Sequence, residues 1–217
     1  MTMDKNSPPC KQPVLFEGDL DGEMQRTYLD SQQLAVDTEA RGLKIRRDRL
    51  CLVQLCNEWG DTALVRVYGS ARAPLLQSVL EAAHVEKILH FARFDMAALQ
   101  HWLGIRMAPV YCTKIASRLA RTYTERHGLK DLVRELCGVE QNKEQQSSDW
   151  NADELSPAQI SYAIADVAHL VTIQAKLDAM LKSEGRDRLA RACMACLPAR
   201  VDLDLAGWEN EDIFAHA

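Results

Sequence analysis

Asp37 and Glu39 stand two residues apart, at the end of the apolar run Leu34-Ala35-Val36. On an extended backbone, residues i and i+2 leave the same face, so both carboxylates would point to one side. Like charges so placed repel unless a cation lies between them, and hard divalent cations take carboxylate oxygens as ligands. A strand turning polar as it enters a loop would give the same residues, so two later stretches carry the argument. His90-Phe91-Ala92-Arg93-Phe94-Asp95 follows a short apolar run and opens a helical pattern, which puts Asp95 near a helix N-terminus. An aspartate there can be a simple dipole partner, but strand ends in α/β sheets are also where ligands collect. Tyr162 and Asp166 are spaced i, i+4 in a strongly helical segment, so phenol and carboxylate share one face. Ile164, Val167 and Leu170 around them are apolar, and a carboxylate in that setting needs a partner or a cation.

Asp37, Glu39, Asp95 and Asp166 together can hold two divalent cations about 3.5–4 Å apart, as phosphoryl-transfer sites do. One ion would activate the attacking water, and the other would stabilise the leaving 3′ oxygen. Tyr162 would orient that water, or help to deprotonate it, through a hydrogen bond. Two residues after Glu39 begins a basic stretch, in which Arg41, Lys44, Arg46, Arg47 and Arg49 face Asp48 as the one acidic residue. A solvated loop is the plain reading; a phosphate-facing rim beside a metal site accounts better for its position.

The elements that must position these residues are legible in outline. Strands are expected over 33–38, 49–56, 62–67, 87–90 and 109–112, with the composition of a further short one at 14–16. Trp59-Gly60-Asp61 turns between the second and third, so the first three strands should form an antiparallel meander. Helices are expected over 19–29, with Asp19 or Asp21 near the cap, and over 73–83, 94–103, 113–120 and 129–137. A long helix should span 157–181, with Ser156 as its cap and Pro157 in its first turn. Strands first, helices afterwards and a parallel strand–helix–strand addition indicate a mixed α/β sheet with a helical C-terminal half.

The whole chain sets bounds. Its 217 residues suit one domain, expected over 14–217 behind a disordered tail at 1–13 that holds three prolines and no apolar signal core. No run approaches the roughly 20 apolar residues that span a bilayer, so the expectation is a cytoplasmic protein without membrane contact. Seven cysteines in otherwise apolar segments read as reduced, buried small hydrophobes. Cys193 and Cys196 have metal-type spacing, but no second Cys/His pair lies nearby to complete a zinc site. A net charge of −5 argues against coating long nucleic acid by electrostatics alone.

Asp37-Thr38-Glu39, then Phe94-Asp95, then Tyr162 with Asp166 resemble the three motifs of the DEDD exonucleases, in the subtype with tyrosine in the third motif. Ser148-Asp149-Trp150, Leu155-Ser156 and Tyr162-Ala163 are similar to ribonuclease D, although 217 residues leave no room for its helical C-terminal nucleic-acid-binding domains. That difference, the run Asp37-Thr38-Glu39-Ala40-Arg41-Gly42-Leu43 and the ending Glu211-Asp212-Ile213-Phe214-Ala215-His216 look like the nanoRNase C family. The resemblance covers roughly 34–181. It implies a ribonuclease H-like, five-stranded sheet flanked by helices, two Mg2+ or Mn2+ ions and 3′-to-5′ hydrolysis of short RNAs, dinucleotides included, to nucleoside monophosphates. It also implies a homo-octamer, catalytic roles for Asp37, Glu39, Asp95, Tyr162 and Asp166, and a wedge role for Leu43 between the last two bases. Thr38, Arg41, His90 and Phe94 would join Leu43 in touching substrate. Two other functions stand beside this one: a broader exonuclease trimming RNA 3′ ends or degrading DNA, and a non-catalytic RNA-binding scaffold.

Overall fold

In the computed structural model, residues 10–68, 72–141 and 148–216 are described. A sheet of six strands runs β1 (Val14–Glu17), β4 (Thr62–Arg66), β3 (Leu50–Asn57), β2 (Gln33–Ala40), β5 (Glu86–Leu89) and β6 (Val110–Cys112) in spatial order. The expected meander is present: β2 pairs antiparallel with β3, and β3 with β4. β5 and β6 add in parallel beside β2. The expected count of five is short by one, because β1 pairs in parallel with β4 at the far edge. β1 is the short strand expected at 14–16; Val14 and Leu15 are exposed, and Phe16 packs against the core. β3 is buried along its whole length, as the interior strand of such a layer must be.

Helices cover both faces. The expected helix at 19–29 starts later, as α1 (Gly22–Leu29), with the Asp21 carboxylate accepting from the Met24 N–H at 2.7 Å. Asp19 instead accepts from the N–H groups of Leu75 and Leu76, holding the start of α2 (Pro74–Leu80). α3 (Ala92–Leu103) ends at Gly104 with φ +72°, a left-handed position that glycine adopts without strain. α4 (Thr113–Ala120) follows β6 directly, and α5 (Leu129–Leu132) runs into a π-helical turn at Val133–Cys137.

The long helix expected over 157–181 is two, α6 (Pro157–Val167) and α7 (Leu170–Ser183), broken at Ala168 and His169. Neither residue is a glycine or a proline, so composition gave no sign of the break. Beyond it, α8 (Asp187–Ala195) and α9 (Leu197–Ala206) complete the helical half. Arg93 ties α9 back to α3 through both Asp204 oxygens, at 2.6 and 2.7 Å.

Residues 1–9 of the expected tail lie outside the described residues, as do residues 142–147. Within the described part of that tail, the Lys11 N–H bonds to the Gly60 carbonyl, and its ammonium pairs with Asp61 at 2.6 Å. Cys51, Cys56 and Cys112 are buried as expected, whereas Cys193 and Cys196 are exposed on and just after α8. Among the described residues, no helix is long and apolar enough to cross a membrane.

Candidate active site

The site forms where β2 leaves the sheet. Leu34, Ala35 and Val36 are fully buried, which fixes the strand's register and sends Asp37 and Glu39 to the face that α6 covers. The pairing with β3 shifts between Glu39 and Ala40, an irregularity of the kind that re-aims side chains beside active sites. α6 is started firmly. Ser156 accepts from the Gln159 N–H at 3.2 Å, and the Gln159 carboxamide accepts from the Ser156 N–H at 2.9 Å, with Pro157 in the first turn. Two turns on, Asp166 reaches Asp37 and Glu39, so that one carboxylate oxygen from each of the three lies within 4.8 Å of the others.

Asp95 enters from the first turn of α3. Thr38, between the two strand carboxylates and pointing to the other face, donates its hydroxyl to Asp95 Oδ1 at 2.6 Å. The four carboxylates therefore share one field. Burial first, then the charges of Asp95, Asp166 and Glu39, push the Asp37 carboxyl well above the usual range. Burial, then Asp166 and Asp95, push Glu39 up to about 9. Burial raises Asp95 to about 7 against the opposing hydrogen bond from Thr38. Carboxylates clustered in this way fit a hard divalent cation, whose charge removes the repulsion and whose ligands are oxygens.

These shifts have a consequence in solution. A carboxyl whose folded pKa is raised keeps a proton that the unfolded chain releases, so its folded state loses relative stability as pH rises between the two values. For Glu39 that window runs from 4.5 to about 9, and for Asp95 from 3.8 to about 7. The melting temperature of metal-free protein should accordingly fall from pH 5 to pH 9. Glu39→Gln should flatten the upper part of that fall in a thermal scan with chelator, and a slope identical to wild type would contradict the clustered field.

Tyr162 lies one turn before Asp166, is hydrogen-bonded to it and packs its ring 5.9 Å from that of Trp150. Burial, then Asp166 and Glu39, raise its hydroxyl pKa above the ordinary 10. The expected substrate-contact residues are more scattered. Leu43 is 85% exposed at the tip of the turn that follows β2. Asp48 closes that turn by accepting from the Lys44 N–H at 2.9 Å, and a Cβ on Gly42 would meet the Asp48 carboxylate at 2.4 Å and force it to shift out of that bond. His90 and Phe94 are half-buried, and His90 Nδ1 lies 2.9 Å from the Thr113 hydroxyl.

The basic rim is in part structural. Arg46 donates to the Leu205 carbonyl, Arg47 pairs with Asp48 at 2.6 Å, and Arg49 donates to Asn151. Arg41 and Lys44 are the exposed members of the rim free of such structural ties among the described residues. Trp150, part of the motif noted in the sequence, packs against Tyr162. One residue near the site was not anticipated: Gln54 is a lone amide inside the apolar run Leu50–Cys56, and that break in an otherwise apolar run was its available signal.

A family model described as 3′-5′ exonuclease matches residues 19–182. Ribonuclease D of Gluconacetobacter diazotrophicus is 34% identical over 178 residues, covering 80% of this chain and 44% of that protein. The chain spans less than half the length of the curated relatives it matches. Among solved structures, Brucella melitensis NrnC with bound Mg2+ is 42% identical, with 95% of this chain and 100% of that one covered and a TM-score of 0.89. The same Brucella protein bound to pGG gives 43% identity, 95% and 99% coverage, and a TM-score of 0.90. The sheet with its helical second half, the clustered carboxylates and these likenesses agree: the chain belongs to the 3′-5′ exonuclease family.

Proposed function

We propose that this protein is a two-cation 3′-5′ exoribonuclease that hydrolyses short RNA oligonucleotides, dinucleotides included, to nucleoside 5′-monophosphates. The observation that carries the reading is the convergence of Asp37, Glu39 and Asp166 oxygens within 4.8 Å, with Asp95 in the same electrostatic field. Mg2+ or Mn2+ held by these four residues would supply a Lewis acid for the scissile phosphate and lower the pKa of a bound water. Asp37, Glu39, Asp95 and Asp166 hold the charge balance of the site, and Tyr162 orients the attacking water through its hydroxyl. Leu43 inserts between the terminal bases, Arg41 faces phosphate, and Thr38, His90 and Phe94 line the pocket floor.

Support for short RNA comes from the Brucella relative, whose solved complex holds pGG. A labelled dinucleotide should be cleaved in Mg2+ faster than a longer RNA or a DNA, and chelator should stop the reaction. Cleavage of long RNA alone would favour the broader ribonuclease D-like reading, and no cleavage of any substrate would favour a scaffold. Stacking contributes roughly 1–3 kcal/mol per base where aromatics are used, and an aliphatic wedge belongs at the low end. Leu43→Ala should therefore raise KM for dinucleotides by roughly fivefold with little change in kcat, since a wedge holds ground and transition states alike. An unchanged KM would remove Leu43 from the pocket.

The same reading includes a closed homo-oligomer, an octamer on the nanoRNase C pattern. The C-terminal segment supports it by presenting Ile213 and Phe214, the latter 91% exposed, for burial against another copy. Light scattering should give a mass several-fold above 24.4 kDa, and monomer alone at micromolar concentration would count against assembly.

A further inference from the structure

Gln54 is fully buried, and among the described residues neither its amide nitrogen nor its amide oxygen has a hydrogen-bond partner. Leaving a buried primary amide unpaired is destabilising, and a leucine or methionine would fill the same volume without that cost. The surroundings of Gln54 on its own face are apolar. Leu52 lies two residues before it and Leu64 is its partner on β4, and both belong to the cluster that includes Trp150 and Ala163 of α6. One neighbour on that face is different. In the antiparallel register of β2 and β3, the residue directly opposite Gln54 is Asp37.

Residues directly opposite in an antiparallel pair share a face, with Cβ atoms about 4.5–5.5 Å apart. A glutamine side chain can bridge that gap to a carboxylate by rotation about its own bonds. An ionised carboxylate has acceptor positions on both oxygens, more than a cation occupies. Its neighbours in the cluster are already served: the Thr38 hydroxyl donates to Asp95, and Tyr162 is hydrogen-bonded to Asp166. Asp37 takes a backbone N–H from Thr38 and faces the unused amide.

We propose that Gln54 is a positioning residue of the cation site, donating its amide N–H to the Asp37 carboxylate on the side turned away from the ions. It fixes the rotamer of a ligand without touching substrate. Partners of this kind typically alter metal affinity by 10–100-fold when removed. The inference rests on the two-cation reading above, and the measurement separates the two.

Mn2+ binding to metal-free, full-length protein can be titrated by the loss of free-ion paramagnetic resonance signal, alongside melting temperature. Wild type should bind Mn2+. If it does not, the two-cation reading fails, and this inference with it. The bond to Asp37 belongs to the cation-loaded site, and without it the amide has no partner among the described residues. Gln54→Leu and Gln54→Met should therefore melt at or above wild type without metal, yet bind Mn2+ about 10–100-fold more weakly. Leu55→Val, on the opposite face of β3, should lower the melting temperature with Mn2+ affinity intact. Unchanged affinity in either Gln54 variant would overturn the proposal while leaving the cation reading standing. Unfolding of both Gln54 variants would also overturn it, by making the amide a structural group.

Discussion

Asp37→Asn and Asp166→Asn should each abolish metal-dependent hydrolysis while raising the melting temperature of the metal-free protein at pH 8. The two effects have one source. Each substitution keeps the shape of the side chain and removes one negative charge from a cluster whose members sit within 4.8 Å. Without cations that charge is a liability: burial, then the charges of Asp95, Asp166 and Glu39, hold the Asp37 carboxyl above its ordinary range. With cations it is a ligand. A metal acting on phosphoryl oxygen contributes several kcal/mol of transition-state stabilisation, and each 1.36 kcal/mol is tenfold, so the loss in kcat/KM should be on the order of 10³-fold or more. Loss of activity alone would not distinguish a broken fold from a broken site. The opposite signs, lower activity with higher thermal stability, are diagnostic. Near-normal hydrolysis in Mg2+ by either variant would show that the chemistry lies elsewhere.

The grouping of the candidate site residues was legible because it depends on local periodicity. Alternation along a strand puts Asp37 and Glu39 on one face, and one helical turn puts Tyr162 beside Asp166; the fold then had only to bring β2 and α6 together. Ser156 and Pro157 marked the start of α6 for equally local reasons. What stayed hidden depends on long-range partners. The strand at 14–16 was expected, but its parallel pairing with β4 at the sheet's edge was not, since half of its side chains are exposed apolar residues that carry no buried pattern. Arg46 and Arg49 read as part of a charged rim, but their guanidinium groups end on Leu205 and Asn151, more than a hundred residues away. Arg93 sat in plain view within the second motif, yet its bidentate partner Asp204 lies on a helix that no local pattern announced. The division between α6 and α7 is likewise tertiary, since the residues at the break are ordinary helix formers or nearly so.

Tyr162→Phe should lower kcat by about 10²–10⁴-fold, the usual contribution of a group that moves or positions a proton, while leaving Mn2+ affinity and melting temperature nearly unchanged. The ring remains packed 5.9 Å from Trp150, so the substitution deletes one hydroxyl and little else. The structure also narrows the role of that hydroxyl. Burial and the charges of Asp166 and Glu39 raise its pKa, so the phenol keeps its proton throughout the working range of pH. A phenol so held is a poor general base. Under the proposed mechanism it would act as an orienting group, with its proton engaged by Asp166 and its oxygen available to accept from the attacking water. The rate–pH profile should then show no limb belonging to tyrosine ionisation, and the profile of Tyr162→Phe should be lower but of the same shape. A variant that turned over at the wild-type rate would leave Tyr162 as a packing residue for Trp150. A profile whose shape changed with the loss of the hydroxyl would instead return it to the part of the base.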